Sequence, residues 1–166
     1  MFTLTLKEDL MPELEKRVKE LIHHKVEIGM FIEQGEHSES GFDYVALFKY
    51  LSDGDPSRNM PPRSPLQVVA ALNDLKRSGL KQDVKKYLTN LKTKPSIKVD
   101  DIMENVGMYY RGKVRDVFGD QSRLAPKAES TKAISQSPNT PLIETGELAK
   151  KVAYRVDEGD IKEIGR

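Results

Sequence analysis

A helical stripe of apolar residues between Val99 and Phe118 is the longest regular pattern in this sequence. Its members recur every three or four residues, so they share one face of an α-helix. They are Val99, Ile102, Met103, Val106, Tyr110, Val114 and Val117. Gly119 follows, and glycine is common just beyond a helix end. Any fold of this chain therefore has to bury one side of a long helix over 99–118.

Three shorter segments alternate apolar and polar residues, which is the period of a β-strand with one buried face. They are Met1–Lys7, Lys25–Ile32 and Lys151–Val156. In the first segment Phe2, Leu4 and Leu6 fall on one face. The alternation predicts a small, mostly antiparallel sheet built from these segments.

Local start and stop signals predict further helices. An amphipathic helix of about a dozen residues begins near Asp9, with Pro12 in its first turn. Its predicted inward-facing residues are Leu10, Leu14, Val18, Leu21 and Ile22. A second helix starts at a capping box, in which Ser64 is the N-cap, Pro65 the first helical residue and Gln67 the third. Gly79 supplies its end.

Of the two segments between these helices, one has mixed signals and one is a loop, and a third helix follows the second one. The composition of Tyr44–Leu51 suits a strand while its spacing suits a helix, and we favour a short helix or mixed element. Ser52–Arg63 is a loop by composition. We predict a short helix over Lys81–Lys92, which ends before Pro95.

The predicted fold class is α+β, a small mostly antiparallel sheet packed by three to four helices. The 166 residues, 37 % of them hydrophobic, suit a single domain over 1–166 with one modest core. Asp120–Pro141 is polar and without period, and is long for a loop inside a compact domain. We therefore expect a long extended loop or arm there, with flexible loops at about 33–42 and 120–140.

Composition excludes several classes of function. The chain has no cysteine, so disulfides, thiolate catalysis and cysteine-ligated zinc are excluded. The formal net charge of +1 gives no overall attraction to nucleic acid or anionic membrane. No apolar run reaches the roughly 20 residues of a membrane span, and the N-terminus does not resemble a secretory signal.

Charge is nevertheless uneven along the chain. Segment 76–98 has eight basic residues against Asp83 alone, and segment 27–55 has seven acidic residues against Lys49 alone. Two solvated faces would account for this pattern. So would electrostatic docking of one subunit on another. A third interpretation is a nucleic-acid surface on 76–98, in which Tyr87 is the aromatic residue for stacking.

Residue patterns for catalysis or metal binding are missing. His23 and His24 are adjacent and so point to different helix faces, and His37 lies in an acidic loop. Neither a glycine-rich phosphate loop nor a nucleophile elbow occurs, and acidic pairs such as Asp100-Asp101 suit helix starts. We expect no enzymatic activity, no metal and no cofactor.

Several short motifs follow one another in a distinctive order. They are Val26-Glu27-Ile28-Gly29-Met30, Tyr44-Val45-Ala46 leading to Asp53-Gly54, Pro61-Pro62-Arg63-Ser64-Pro65-Leu66, Leu124-Ala125-Pro126, Ser130-Thr131, and Thr140-Pro141-Leu142-Ile143-Glu144-Thr145-Gly146-Glu147-Leu148. This order resembles the neck and tail-completion proteins of tailed bacteriophages, the virion-morphogenesis or tail terminator-like group. The resemblance spans roughly residues 10–157, and its most specific part is 141–146.

The resemblance implies a structural virion protein whose copies form a ring at the head–tail junction or the top of the tail. A hexamer is favoured over a dodecamer, and DNA passes through the ring without sequence-specific binding. The implied partners are further copies of the chain and the neighbouring head-completion and tail-tube proteins, with assembly in the host cytoplasm. Ser52 or Asp53 replaces the group's usual glutamate, Leu66 its aromatic residue and Glu144 its aspartate, which leaves the subtype open.

Six residues are candidates for subunit or partner contact: Arg63, Glu144, Thr145, Gly146, Lys85 and Lys86. Arg63 beside a helix N-terminus is unfavourable for the helix dipole, so we expect it to meet a carboxylate. Thr145 could cap the following helix, and Gly146 suggests a positive φ or close approach of another chain. A local turn and an intersubunit contact both explain 141–148. The alternative function is a small nucleic-acid-binding module that uses 76–98.

Overall fold

A computed structural model describes residues 9–72, 79–157 and 159–163. In this part of the chain seven α-helices surround a two-stranded sheet. The elements are α1 (Met11–His23), β1 (Val26–Gly29), α2 (Tyr44–Asp53), α3 (Pro65–Leu72), α4 (Leu80–Leu88), α5 (Val99–Val117), α6 (Glu129–Lys132), α7 (Glu147–Lys150) and β2 (Ala153–Val156). Short 3-10 turns occur at Ile32–Gln34 and Pro56–Arg58.

The sheet pairs β1 with β2 in antiparallel register. Val26 lies opposite Val156 and Gly29 opposite Ala153. An α+β fold with a small antiparallel sheet is therefore confirmed. Both strands are shorter than predicted, because a 3-10 turn follows β1 and a helical turn precedes β2. The strand predicted over Met1–Lys7 lies outside the described residues.

α5 connects two groups of buried apolar side chains. Its C-terminal half supplies Val114 and Val117 to the larger group. The other buried members of this group are Tyr44, Phe48, Val69, Phe118, Leu124, Leu148 and Val152. The N-terminal half of α5 supplies Val99 and Ile102, which are buried with Tyr87 of α4 in the smaller group. The predicted long helix is confirmed, and it joins an α1–α4 end of the molecule to an α2–α7 end.

The predicted inward face of α1 is partly wrong. Val18 and Ile22 are exposed, whereas Arg17 is 2 % exposed. The Arg17 guanidinium donates to the carbonyl oxygens of Tyr87 (2.8 Å), Thr89 (3.2 Å) and Thr93 (2.5 Å). These carbonyls lie at and beyond the end of α4, where the helix itself supplies no donors. Arg17 therefore faces α4, and this rotates the apolar side of α1 toward solvent.

The mixed segment at 44–51 is helical, and capping explains why. Asp43 Oδ1 accepts from the Ala46 main-chain N–H at 2.7 Å, which caps α2. Gly54 ends it at φ 74°, where an added Cβ would lie 2.6 Å from the Met60 carbonyl oxygen. α2 thus extends to Asp53, into the segment predicted as a loop. No L-residue with a side chain fits position 54 without moving the main chain.

The other predicted helices begin close to where expected. The Gln67 N–H donates to Ser64 Oγ at 3.4 Å, and Pro65 opens α3, as the capping box predicts. The remainder of that helix, up to the end predicted at Gly79, passes through 73–78 outside the described residues. α4 ends at Leu88 rather than Lys92, ahead of Asn90, which has a positive φ of 55°.

Candidate subunit-contact site

The turn at 141–148 lies at the α2–α7 end. Pro141 is fully buried, and its carbonyl oxygen accepts from the Gly119 N–H at 2.8 Å, so the turn is attached to the end of α5. Leu142 has a positive φ of 61°, and Leu148 is buried in the larger apolar group. The turn is therefore anchored at both ends, and its middle residues, 143–147, bend outward between these anchors.

Lys127 holds the middle of the turn from the inside. Its ammonium group donates to the carbonyl oxygens of Ile143 (2.7 Å) and Ser137 (2.9 Å) and lies 2.7 Å from Glu144 Oε2. The Lys127 hydrogen bond is the largest cause that lowers the pKa of Glu144 to about 2, followed by those from Ser135 and the Gln136 N–H. Glu144, predicted as a contact residue, is engaged by its own chain.

Arg63 joins α3 to the long polar segment. Its Nε donates to the Ala125 carbonyl oxygen at 2.7 Å and its Nη2 to that of Pro126 at 2.5 Å. Burial lowers the pKa of the Arg63 guanidinium. The prediction that Arg63 meets a carboxylate is therefore wrong for the described residues. Two main-chain carbonyls that belong to no helix or strand satisfy the guanidinium instead.

Glu147 connects the 36–43 loop to α7. Its carboxylate accepts from the Ser38 N–H at 3.2 Å, from Ser38 Oγ at 2.5 Å and from the Tyr44 hydroxyl. The Ser38 and Tyr44 hydrogen bonds lower the pKa of Glu147 to about 2, with a smaller contribution from His37. Burial, and then Glu147, raises the pKa of Tyr44 to about 12. His37 Nε2 lies 3.9 Å from Glu147 Oε2.

Gly146 and Thr145 lie at the start of α7. Gly146 is the N-cap with φ 76°, so the predicted positive φ is confirmed. An added Cβ there would have no atom of the described chain within 4 Å. Thr145 is not the N-cap, and that prediction is wrong. Its Oγ1 accepts from the Glu147 N–H at 3.4 Å, from the position before the cap.

These residues surround a surface pocket of about 310 Å³. Its apolar wall consists of Leu47, Leu51, Leu142, Ile143 and Leu148. Charged and polar groups line the rest, among them Arg63, Glu144, Thr145 and Gly146, which are four of the six predicted contact residues. The structure therefore brings most of the predicted contact set to one place, although Arg63 lies about eighty positions before the turn in sequence.

Lys85 and Lys86 are not part of this pocket. They lie on α4 at the other end of α5, where Lys86 Nζ is 3.2 Å from Asp83 Oδ1. Tyr87 of the same helix is buried, and its hydroxyl donates to Glu20. The aromatic residue that a nucleic-acid surface on 76–98 would use for stacking therefore faces the core.

Sequence reasoning missed Lys127, Glu147 and Tyr44 as organising residues of the pocket. Two of the four groups that Lys127 binds are main-chain carbonyls, which every sequence supplies, and the other two are the Ser135 and Glu144 side chains, so no local residue pattern predicts its role. Glu147 lies in the last motif, one position beyond its most specific part, and could have been singled out there. Its partners Ser38 and Tyr44 are more than a hundred positions away.

No metal cluster of His, Asp or Glu side chains is present in the described ranges, and none of the helices described there is long and apolar enough to cross a membrane. His24 Nδ1 instead lies 2.7 Å from Asp157, and His23 Nδ1 lies 2.7 Å from the Lys19 carbonyl oxygen. No protein-family model, curated protein or solved structure matches this chain.

Proposed function

We propose that this chain is a structural virion protein of a tailed bacteriophage. Copies form a homo-oligomeric ring, a hexamer in preference to a dodecamer, at the head–tail junction or the top of the tail. The ring acts in neck or tail completion, or as a tail terminator, and DNA passes through it. It carries out no reaction and has no cofactor. Its neighbours are the head-completion and tail-tube proteins.

One observation carries this proposal: five of the six motifs behind the resemblance, which are scattered along the sequence, are linked by contacts in space. The first ends at Gly29, where an added Cβ would lie 3.8 Å from Leu66 Cδ1 in the third motif. The second ends at Gly54 against Met60–Pro62. The third reaches the fourth through Arg63 and its two carbonyl partners. The last reaches back to the second through Glu147 and Tyr44.

The chemistry of the pocket supports protein contact rather than catalysis. Its wall is aliphatic, and its rim carries charges of both signs close together. The cationic groups of Arg63 and Lys127 already donate to carbonyl oxygens of the chain, which fixes the shape of the rim. A preformed, partly apolar depression with a polar rim suits a segment of a neighbouring protein.

The proposal is tested in the phage that encodes the chain. Deletion of the coding sequence is expected to leave DNA-filled heads and separate tails, and the intact gene supplied in trans should restore joining. A tag on the protein should label the head–tail junction or the upper end of the tail in negative-stain images. Infectious particles from the deletion phage, or label elsewhere, would refute the proposal. Salt-sensitive DNA binding by the purified monomer would favour the nucleic-acid alternative.

A further inference from the structure

We infer that segment 1–7 of one copy of this chain adds a third strand to the sheet of a neighbouring copy, along the open edge of β1. This inference rests on the proposed homo-oligomeric ring and names the contact that joins its copies. The occupant of the edge is an extended segment of a second copy, which binds through main-chain hydrogen bonds and one apolar face.

The outer edge of β1 presents main-chain groups that no described residue bonds. The Asp157 N–H donates to the Lys25 carbonyl oxygen at 2.9 Å, which fixes the hydrogen-bonded pairs of this antiparallel register. Such pairs alternate with pairs whose main-chain groups point away from each other. Val26 and Ile28 belong to the second kind, so their N–H and C=O groups point away from β2. None of the hydrogen bonds found within the described part of the chain reaches these groups.

The opposite edge of the sheet is closed. On β2 the Tyr154 N–H donates to the Lys162 carbonyl oxygen at 3.4 Å, and the Lys162 N–H donates to the Tyr154 carbonyl oxygen at 2.8 Å. Tyr154 lies opposite Ile28, so this pairing agrees with the outward direction deduced for Ile28. A strand edge with unused donors and acceptors is a template for a further extended segment, and β1 is the edge that offers one here.

The two faces of the sheet match the two faces of segment 1–7. Ile28 packs against the larger apolar group and Tyr154 lies on Gly107 of α5, so this face is apolar. The other face carries Glu27, whose Oε2 lies 2.9 Å from Arg155 Nη2. An added strand can place its apolar residues on the α5 side and its polar residues beside Glu27. Segment 1–7 has this alternation, with Phe2, Leu4 and Leu6 between Thr3, Thr5 and Lys7.

The course of α1 favours the edge of a neighbouring copy over that of the same copy. The end of α1 joins β1 through His24 and Lys25. Its first two turns lie beside 89–95, where Arg17 Nη2 is 2.5 Å from the Thr93 carbonyl oxygen. The 13 residues of α1 span about 20 Å. Segment 1–7 precedes this far end, so it has to turn back along the helix to reach its own β1, whereas a course continued outward reaches another molecule.

This contact is compatible with a ring. It is heterologous, because the segment and the β1 edge are different parts of the chain. Repeated heterologous contacts close into a ring or extend as a filament. Only Val26 and Ile28 of β1 offer edge groups, so a single contact is weak, and ring closure stabilises the assembly by adding one contact without adding a copy.

The absence of cysteine from the sequence permits a direct test by cross-linking of the full chain. Thr5→Cys copies are mixed with Glu27→Cys copies at the highest soluble concentration and treated with a short bis-maleimide. Each copy carries one cysteine, so a T5C–E27C product joins two copies. We expect its yield to exceed that of the T5C–E129C product at least about tenfold, the ratio given by about 1.4 kcal/mol of preferential contact. Glu129, exposed on α6, is the matched control.

Two matched pairs of variants test which groups make the contact. Leu4→Lys in the T5C copy should abolish the product, because it places a charge against the apolar face, whereas Thr3→Lys should retain it beside Glu27. Val26→Pro in the E27C copy removes an outward N–H at the first residue of β1, where proline is tolerated, and leaves the hydrogen bonds to β2. It should reduce the product relative to Val26→Ala at an equal melting temperature. If Val26→Pro melts lower, the pair at positions 3 and 4 decides alone.

A T5C–E27C yield no higher than that of T5C–E129C would overturn the inference, as would equal yields from Leu4→Lys and Thr3→Lys. Internal linking of the double variant T5C/E27C as a dilute monomer would place the segment on its own copy and overturn it as well. The two proposals fail separately. A chain that cross-links as expected but is absent from the neck refutes the proposed function alone, whereas a neck ring without this cross-linking pattern refutes the strand contact alone.

Discussion

Gly107, in the middle of α5, allows a one-atom test of how the sheet packs on the long helix. The Tyr154 ring of β2 lies directly on the glycine, so a Cβ at 107 would overlap Cδ2 and would lie 2.5 Å from Cε2 and 2.7 Å from Cγ. The ring is held in place, because its hydroxyl donates to Glu104 Oε2 at 2.5 Å and the Arg111 guanidinium lies 5.3 Å from its centroid. The contact cannot relax without losing one of these interactions.

The expected magnitude for Gly107→Ala combines two opposing contributions. Forcing an extra methyl group into a packed site costs about 1–3 kcal/mol. Replacing glycine by alanine inside a helix contributes roughly 0.5–1 kcal/mol in the stabilising direction. The net expectation is a loss of up to about 2.5 kcal/mol in the free energy of unfolding. For a chain of this size that lowers the melting temperature by up to about 10 °C.

The same helix offers a matched control. A Cβ added at Gly112 would meet nothing within 4 Å, so Gly112→Ala should raise stability by roughly 0.5–1 kcal/mol. Both variants are followed by circular dichroism during heating and in urea. The loss caused by G107A should be smaller in a Tyr154→Leu background than in the parent protein, which assigns it to this ring. If G107A is as stable as G112A, the packing of Tyr154 on α5 is not as described.

Four further changes test other parts of the structure. Arg17→Met should lower the free energy of unfolding by about 2–3 kcal/mol in urea titration, because it leaves buried carbonyls at the end of α4 without donors, and an unchanged midpoint would contradict this. The pKa of Glu147 is lowered to about 2 in the folded protein, so its contribution to stability is complete above about pH 4.5 and is lost as the pH falls toward 2. Glu147→Gln should therefore reduce the dependence of the urea midpoint on pH between about 2 and 4.5. The same substitution at exposed Glu129 should not. Lys127→Met should speed hydrogen exchange over 135–144, because it removes the donor to the Ser137 and Ile143 carbonyl oxygens, and unchanged exchange rates there would contradict this. Gly146→Val should cost about 1–2 kcal/mol in melting experiments through its positive φ while Gly146→Asn costs much less, and equal losses would show that backbone strain is not the cause.

Elements whose signals are local could be predicted from the sequence. α5 combines a long apolar period with a glycine at its end, and α3 carries its own N-cap and proline. For Tyr44–Leu51 the composition suits a strand and the spacing suits a helix, and the favoured short helix or mixed element is a helix in the structure. The Asp43 cap and the Gly54 turn decide in favour of a helix, and both residues flank the segment rather than lie within it.

The orientation of α1 could not be predicted from its period. Apolar periodicity assumes that the buried face is the apolar one, and α1 buries a guanidinium instead. Arg17 faces inward because α4 ends there and presents carbonyl oxygens without donors. The residue pattern of one helix carries no information on carbonyl oxygens that lack donors at the end of another helix, seventy positions away.

The predicted contact residues differ in whether their side chains already have partners within their own chain. Arg63 and Glu144 are already engaged, by carbonyls at 125–126 and by Lys127, so substitutions there change the shape of the turn together with any contact it makes. A Cβ at Gly146 would point into open space, so its backbone requirement is separable from its surface. A deficit in assembly without a deficit in stability is therefore informative for Gly146→Asn. At Arg63 the two deficits are expected together, because the same guanidinium that shapes the rim also ties the long polar segment to α3.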